Sequence, residues 1–167
     1  VKKDKNNLIN SDKIKSDPLV TKMISLLMRH GKRSKAEKVL SKTFLFLDKD
    51  YPGQSIDIFY TAIINARQDI AVRLKPKSKK KTRRNKHSYD VYIPRVILPI
   101  CGINLGIRSI LKASRERSKF SFLPLWESLS QELFEASQNK GKVIENRFKV
   151  NSLAVSNKGK VRFSIRG

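Results

Sequence analysis

Eight of the twelve residues from Lys75 to Lys86 are Lys or Arg, and none is acidic. A cationic run of that density repels itself unless an anionic polymer neutralises it, so its chemistry is charge pairing with phosphate rather than catalysis. Arg73, Lys75, Lys77, Lys79, Lys80, Lys81, Arg83, Arg84, Lys86 and Arg95 form this first set of candidate RNA-binding residues. A second set, Arg108, Lys112, Arg115 and Arg117, recurs at the spacing of one helix face. A third is the turn Gly31-Lys-Arg-Ser-Lys35, which brings Lys32, Arg33 and Lys35 to the start of a helix, whose free amides also favour phosphate.

The bland readings stand beside these. Lys79 to Arg84 also satisfies a nuclear-localisation-like patch on a solvated loop, Arg108 to Arg117 also reads as an ordinary solvated helix face, and the Gly31 turn as a plain connection. The whole chain has 37 basic and 14 acidic residues among 167, a formal charge of +23. Apolar residues make up 39 %, enough for one modest core, so the chain is no disordered polycation.

Other chemistries find little support. His30 and His87 lack neighbouring paired carboxylates, and two His with the single Cys101 make no metal-ligand spacing. There is no phosphate-binding Gly-rich loop and no nucleophile elbow, so we expect neither enzyme, metal nor cofactor. A lone cysteine permits no intrachain disulfide, and no apolar run approaches the ~20 residues that span a bilayer. The Lys- and Asn-rich stretch before Asp17 reads as a flexible basic arm over residues 1–16, because Asp4 and Asp12 are foreign to an Arg-rich transit peptide.

The elements that must position these cations are mainly helical. Asp17-Pro18 is an N-cap followed by Pro at the first helical position, and Leu19, Val20, Met23, Ile24 and Leu27 follow at helical spacing. Gly31 is a natural left-handed stop, and Ser34-Lys-Ala-Glu37 is a capping-box pattern opening a second helix. Ala36, Val39, Leu40, Phe44 and Leu47 give that helix its stripe, and Tyr51-Pro-Gly53 ends it. A third helix carries Ile56, Phe59, Tyr60, Ile63 and Ile64, with Ser55 as its cap. The period then changes to two: Val72 and Leu74 alternate with Arg73 and Lys75, and Tyr89, Val91 and Ile93 alternate after the basic run.

These alternating segments predict an antiparallel ribbon over about 70–97 with a long basic tip. A fourth helix follows Pro99 and Gly102, a fifth runs from Leu125 to Ala136 and closes at Asn139-Lys-Gly141, and a weaker sixth spans about Ile144 to Val155. Phe44, Phe59, Trp126 and Phe134 lie on apolar stripes and read as core, whereas one of Tyr89 and Tyr92 is free to meet RNA. The fold class is therefore mainly α, a bundle of about six helices with an inserted, protruding antiparallel β-hairpin. It forms one domain over 17–157, followed by a basic tail over 158–167.

At this point the chain resembles the bacterial-type small-subunit ribosomal protein seven family. The matches are Asp17-Pro-Leu-Val…Leu27-Met-Arg-His-Gly-Lys-Arg-Ser-Lys-Ala-Glu37, Ser88-Tyr-Asp-Val91, Arg108-Ser-Ile-Leu-Lys-Ala-Ser-Arg-Glu-Arg117 and Ala136-Ser-Gln-Asn-Lys-Gly141. Singly these are weak; in this order, over about Asp17 to Phe163, they are specific. The resemblance implies a protein that binds the 3′ major (head) domain of small-subunit rRNA and helps start head assembly, with its ribbon near exit-site tRNA and mRNA. It adds Lys140, with Lys142 beside it, and Arg147 to the RNA-binding set, and implies neighbouring head proteins as partners, no membrane and no homo-oligomer.

The chain also departs from that pattern. A long Lys/Arg run replaces the family's short Gly-Gly ribbon tip, and Cys101-Gly102 stands where the family has an Arg pair. A bias of 24 Lys against 13 Arg fits an AT-rich genome and favours a mitochondrial ribosome over a bacterial or plastid one. Two other classes stay open on residues alone: a histone-like or helix-turn-helix DNA-binding module, and a protein whose helices mainly contact other proteins.

Overall fold

The computed structural model describes residues 16–75 and 91–160, without the side chains of Lys75, Val91 and Lys160. The expected arm over 1–16, the ribbon tip and the last residues of the tail therefore lie outside the described residues, apart from Ser16 and the turn Lys158–Lys160. Helix α1 spans Pro18–Leu27, and the Asp17 carboxylate accepts from the amides of Leu19 and Val20, at 2.7 and 3.3 Å. The Tyr60 hydroxyl donates to the other Asp17 oxygen, so one carboxylate caps α1 and ties it to α3. α1 ends before Gly31: Met28 is extended, and both His30 and Gly31 are left-handed.

α2 runs Arg33–Asp50 with Lys32 at its N-cap, two residues too early for the expected capping box. Ser34 is already inside the helix, and Glu37 instead accepts from Arg33 Nε at 2.8 Å. The Lys32 side chain makes no capping hydrogen bond, and the first amide of α2, that of Arg33, donates to the Gly31 carbonyl at 2.8 Å. α3 is Ser55–Ala66, with Ser55 helical and buried rather than the cap, which is Gln54.

The remaining helices are α4 Pro99–Ser121, α5 Leu125–Ser137 and α6 Lys142–Ser156. α5 packs against α2, α3 and α4 and forms the axis of the core. Met23, Leu40, Leu47, Phe59, Ile63, Ile107, Ile110, Leu129 and Leu133 meet there in near-complete burial. Phe44 and Phe59 are buried edge to face, as their stripe predicts. Trp126 and Phe134 are only half-buried: Phe134 stacks on Tyr51, and Lys42 Nζ lies 4.3 Å from the Trp126 ring centroid.

Six helices and a two-stranded antiparallel ribbon match the architecture expected from periodicity. α4 differs in starting at Pro99, so that Gly102 lies inside it. The reason is a backbone crossing. A Cβ on Gly102 would stand 2.3 Å from the Gln68 carbonyl oxygen, and one on Gly106 2.8 Å from that of Ala66. Helix propensity favours Ala over Gly by about 1 kcal/mol, but overpacking against backbone costs about 3 kcal/mol. Gly102→Ala is therefore expected to lose about 2 kcal/mol net, read as a lower urea midpoint; an unchanged midpoint would mean that α4 crosses less closely.

The ribbon consists of β1 Ile70–Lys75 and β2 Val91–Val96. Register pairs Ile70 with Val96, Val72 with Pro94, Arg73 with Ile93, and Leu74 with Tyr92. Residues directly opposite share a face, so Val72 and Leu74 line up with Pro94 and Tyr92, whereas Ile93 lies with Arg73 and Arg95. The two apolar alternations seen in the sequence thus fall on opposite faces. α6 packs against both strands at the ribbon base, where Pro94 is buried.

Candidate nucleic-acid interface

α4 and the α1–α2 turn enclose two adjoining hollows that share Arg115 and Lys119. The first, about 390 Å³, has walls of Arg29, His30, Lys32, Lys35, Arg115 and Lys119 over an apolar floor that includes Leu27, Ala36, Val39 and Leu125. The second, about 290 Å³, continues along α4 between Arg108, Lys112, Arg115 and Glu116. Helical spacing puts Arg108, Lys112, Arg115 and Lys119 on one stripe, and the short α1–α2 turn brings Lys32 and Lys35 to its end. The result is a single cationic groove.

Its central residue is under electrostatic tension. Arg115 is half-buried, and burial followed by repulsion from Arg29 pushes its guanidinium below the ordinary arginine range. Among the described residues no carboxylate forms an ion pair with it. The one acid lining the groove, Glu116, is held by Lys142, whose hydrogen bond leads in keeping the Glu116 carboxyl below its usual range. A partly desolvated cation facing another cation, with no anion of its own, is relieved by an incoming one.

The other expected residues divide sharply. Arg117 faces the protein: its Nε donates to Glu132 at 2.7 Å and its Nη2 to Glu135 at 2.6 Å. The Glu135 hydrogen bond leads in raising the Arg117 guanidinium above its ordinary range. At Glu132 burial outweighs the pull of Arg117 and pushes the carboxyl up. Among the described residues its second oxygen has no hydrogen-bond partner, nor has the hydroxyl of buried Ser128. Two carboxylates on one guanidinium leave it little charge for phosphate.

Arg147 is also turned inward, donating at 2.6 Å to the Asn65 carbonyl near the end of α3, where a cation complements the helix dipole. The Asn65 amide in turn donates to the Ala136 and Ser137 carbonyls, so the ends of α3 and α5 are joined to each other and to α6. Lys142 spends its ammonium on Glu116, and Arg33 pairs with Glu37 on the surface. Lys140 is exposed in the left-handed turn through Asn139 and Gly141. Arg73 and Arg95 are exposed on one ribbon face. Lys77, Lys79, Lys80, Lys81, Arg83, Arg84 and Lys86 lie outside the described residues, as does the Lys75 side chain.

Sequence reasoning missed two groove residues, Arg29 and Lys119. Arg29 sits two residues before Gly31, and Lys119 continues the stripe one helical turn beyond Arg115, so spacing carried both signals. Among the described residues no group of His, Cys, Asp and Glu could hold a metal, and no helix is long and apolar enough to cross a membrane.

A six-helix body with an inserted antiparallel ribbon carries a groove lined mainly by cations. Comparison with known proteins places it further: the chain belongs to the ribosomal protein S7p/S5e family, which it matches over residues 1–158. It is 33% identical over 150 residues to the small ribosomal subunit protein uS7 of a Sulfurihydrogenibium species, covering 90% of this chain and 89% of that one. With the uS7 of Prochlorococcus marinus it shares 31% identity over 140 residues, 84% of this chain and 82% of the relative. It is therefore a member of the uS7 family of small-subunit ribosomal proteins, as its ordered motifs imply.

Proposed function

We propose that this chain is a non-catalytic clamp for small-subunit rRNA, binding the 3′ major domain and helping start assembly of the head. The observation that carries this reading is Arg115, half-buried beside Arg29 and ion-paired to no carboxylate among the described residues, in a groove walled by cations. Folded RNA presents converging phosphate rows that such a groove can neutralise without reading sequence. Arg108, Lys112, Arg115 and Lys119 grip one row, while Arg29, Lys32 and Lys35 meet the next. Arg117, Lys142 and Arg147 hold the scaffold instead.

The ribbon, carrying Arg73 and Arg95, extends toward exit-site tRNA and mRNA, and head proteins adjoin the helical body. Residues 17–157 act as one RNA-binding domain, with basic segments over 1–16 and 158–167 extending its reach. The Lys-rich composition supports a mitochondrial ribosome as its home. A basic DNA-binding module is the competing reading, and duplex DNA separates the two. Sedimentation of a native extract tests the assignment: the chain is expected to travel with small subunits in low and in high salt. Release at moderate salt, or migration with DNA, would overturn it.

A further inference from the structure

α4 ends in two exposed aromatic rings whose placement the groove alone does not explain. Phe120 is 83% and Phe122 95% exposed, more than Phe148 of α6 at 65%, whereas Phe44, Phe46, Phe59 and Phe134 are buried or half-buried. Phe122 also has φ 52° and ψ 19°, a left-handed conformation that glycine adopts freely and a bulky L-residue rarely does. The turn is nonetheless well held, since the Ser118 hydroxyl donates to the Leu123 carbonyl at 2.7 Å. Water gains nothing from two bare rings, and the backbone is strained to present one of them.

Their neighbours name the occupant. Ser118, Lys119 and Leu125 all line the groove, so residues 120–124 link two parts of its lining in sequence, directly after the last cation of the α4 stripe. A ring beside a lysine and a phosphate-binding groove fits an unpaired nucleotide: the base stacks on the aromatic face while its phosphate meets the cation. Inside a duplex the bases are already stacked on each other on both faces, so only an unpaired base can swing out to offer its face along the strand.

We propose that Phe120 and Phe122 form a stacking platform for unpaired RNA bases at the point where a bound RNA helix ends or bulges. This rests on the groove reading above and adds to it a class of RNA, a junction between paired and unpaired strands.

The test uses the full chain, with an RNA duplex offered either blunt or with a short unpaired 3′ overhang. The overhang is expected to tighten binding about tenfold, the worth of stacking about one base. F120A/F122N, whose Asn tolerates the left-handed turn, is expected to lose that gain while binding the blunt duplex as before with the same salt slope. F120Y/F122Y keeps two rings and is expected to keep the gain. A gain that survives F120A/F122N, or no gain in the native protein, would overturn the platform while leaving the groove intact. Failure of the native protein to bind even the blunt duplex would overturn the groove, and the platform with it. Loss of F120A/F122N from small subunits with its RNA affinities unchanged would also overturn the platform, and would assign the rings to a neighbouring protein.

Discussion

Replacing Arg108, Lys112, Arg115 and Lys119 together by Gln is expected to flatten the salt dependence of RNA binding by about 3 in log–log slope, because each neutralised phosphate contributes about 0.7–0.9. Exposed charge pairs are worth up to about 1 kcal/mol each, so affinity at moderate salt falls by about a hundredfold to a thousandfold. Stability should not fall with it. Arg115 is already repelled by Arg29 and partners no carboxylate among the described residues, so neutralising it removes a tension rather than a bond. Filter binding across a salt series reads the slope, and thermal unfolding reads the control. A slope unchanged from the native protein would mean that RNA passes elsewhere.

Arg117 predicts the opposite pattern. Arg117→Ala leaves Glu132 buried without its partner, and breaking a buried pair on one side costs about 3–5 kcal/mol. Burial already raises the Glu132 carboxyl, and losing the guanidinium raises it further. A group whose folded pKa lies above its unfolded value contributes stability that is present below the unfolded pKa and lost as pH rises through the folded one. The deficit of Arg117→Ala is thus largest at neutral pH and shrinks toward acid, as Glu132 takes up a proton. Urea unfolding at neutral and at mildly acid pH measures this. Equal deficits at both would mean that Glu132 is solvated in the native state.

Replacing both Arg117 and Glu132 by apolar residues of similar volume should recover most of the loss. That outcome separates Arg117 from Arg115, two residues away on the same helix and alike in sequence.

The pair shows where sequence reading stops. Helix number, order and most of the buried stripe were legible because apolar residues recur at 3.6 spacing, and the ribbon because that period changes to two after Arg67. Which face of α4 meets the core was legible too. Arg117 was not, because its role depends on Glu132 and Glu135 from another helix, at contacts that spacing within α4 cannot register. The contacts of Arg147 and Lys142 were hidden for the same reason: each meets a group far along the chain.

Local signals also failed in small ways with clear causes. Ser34 and Glu37 have the capping-box spacing, yet α2 starts at Arg33 because the left-handed pair His30 and Gly31 turns the chain two residues sooner. The alternations before and after the basic run look like one apolar face, but the pairing of Arg73 with Ile93 sets them on opposite sides. Gly102 reads as a helix breaker and is instead the residue that lets α4 cross the chain at Gln68. Each depends on register or close approach, which one strand of sequence does not record.

The most direct measurement is chemical footprinting of small-subunit rRNA fragments with the purified chain, native and with the four groove cations replaced by Gln. We expect the native protein to protect a confined set of backbone positions within the 3′ major domain, at concentrations where other rRNA domains and duplex DNA stay open to cleavage. The variant should lose that protection while remaining folded. Protection spread evenly over all fragments and over DNA, or unchanged in the variant, would contradict the account.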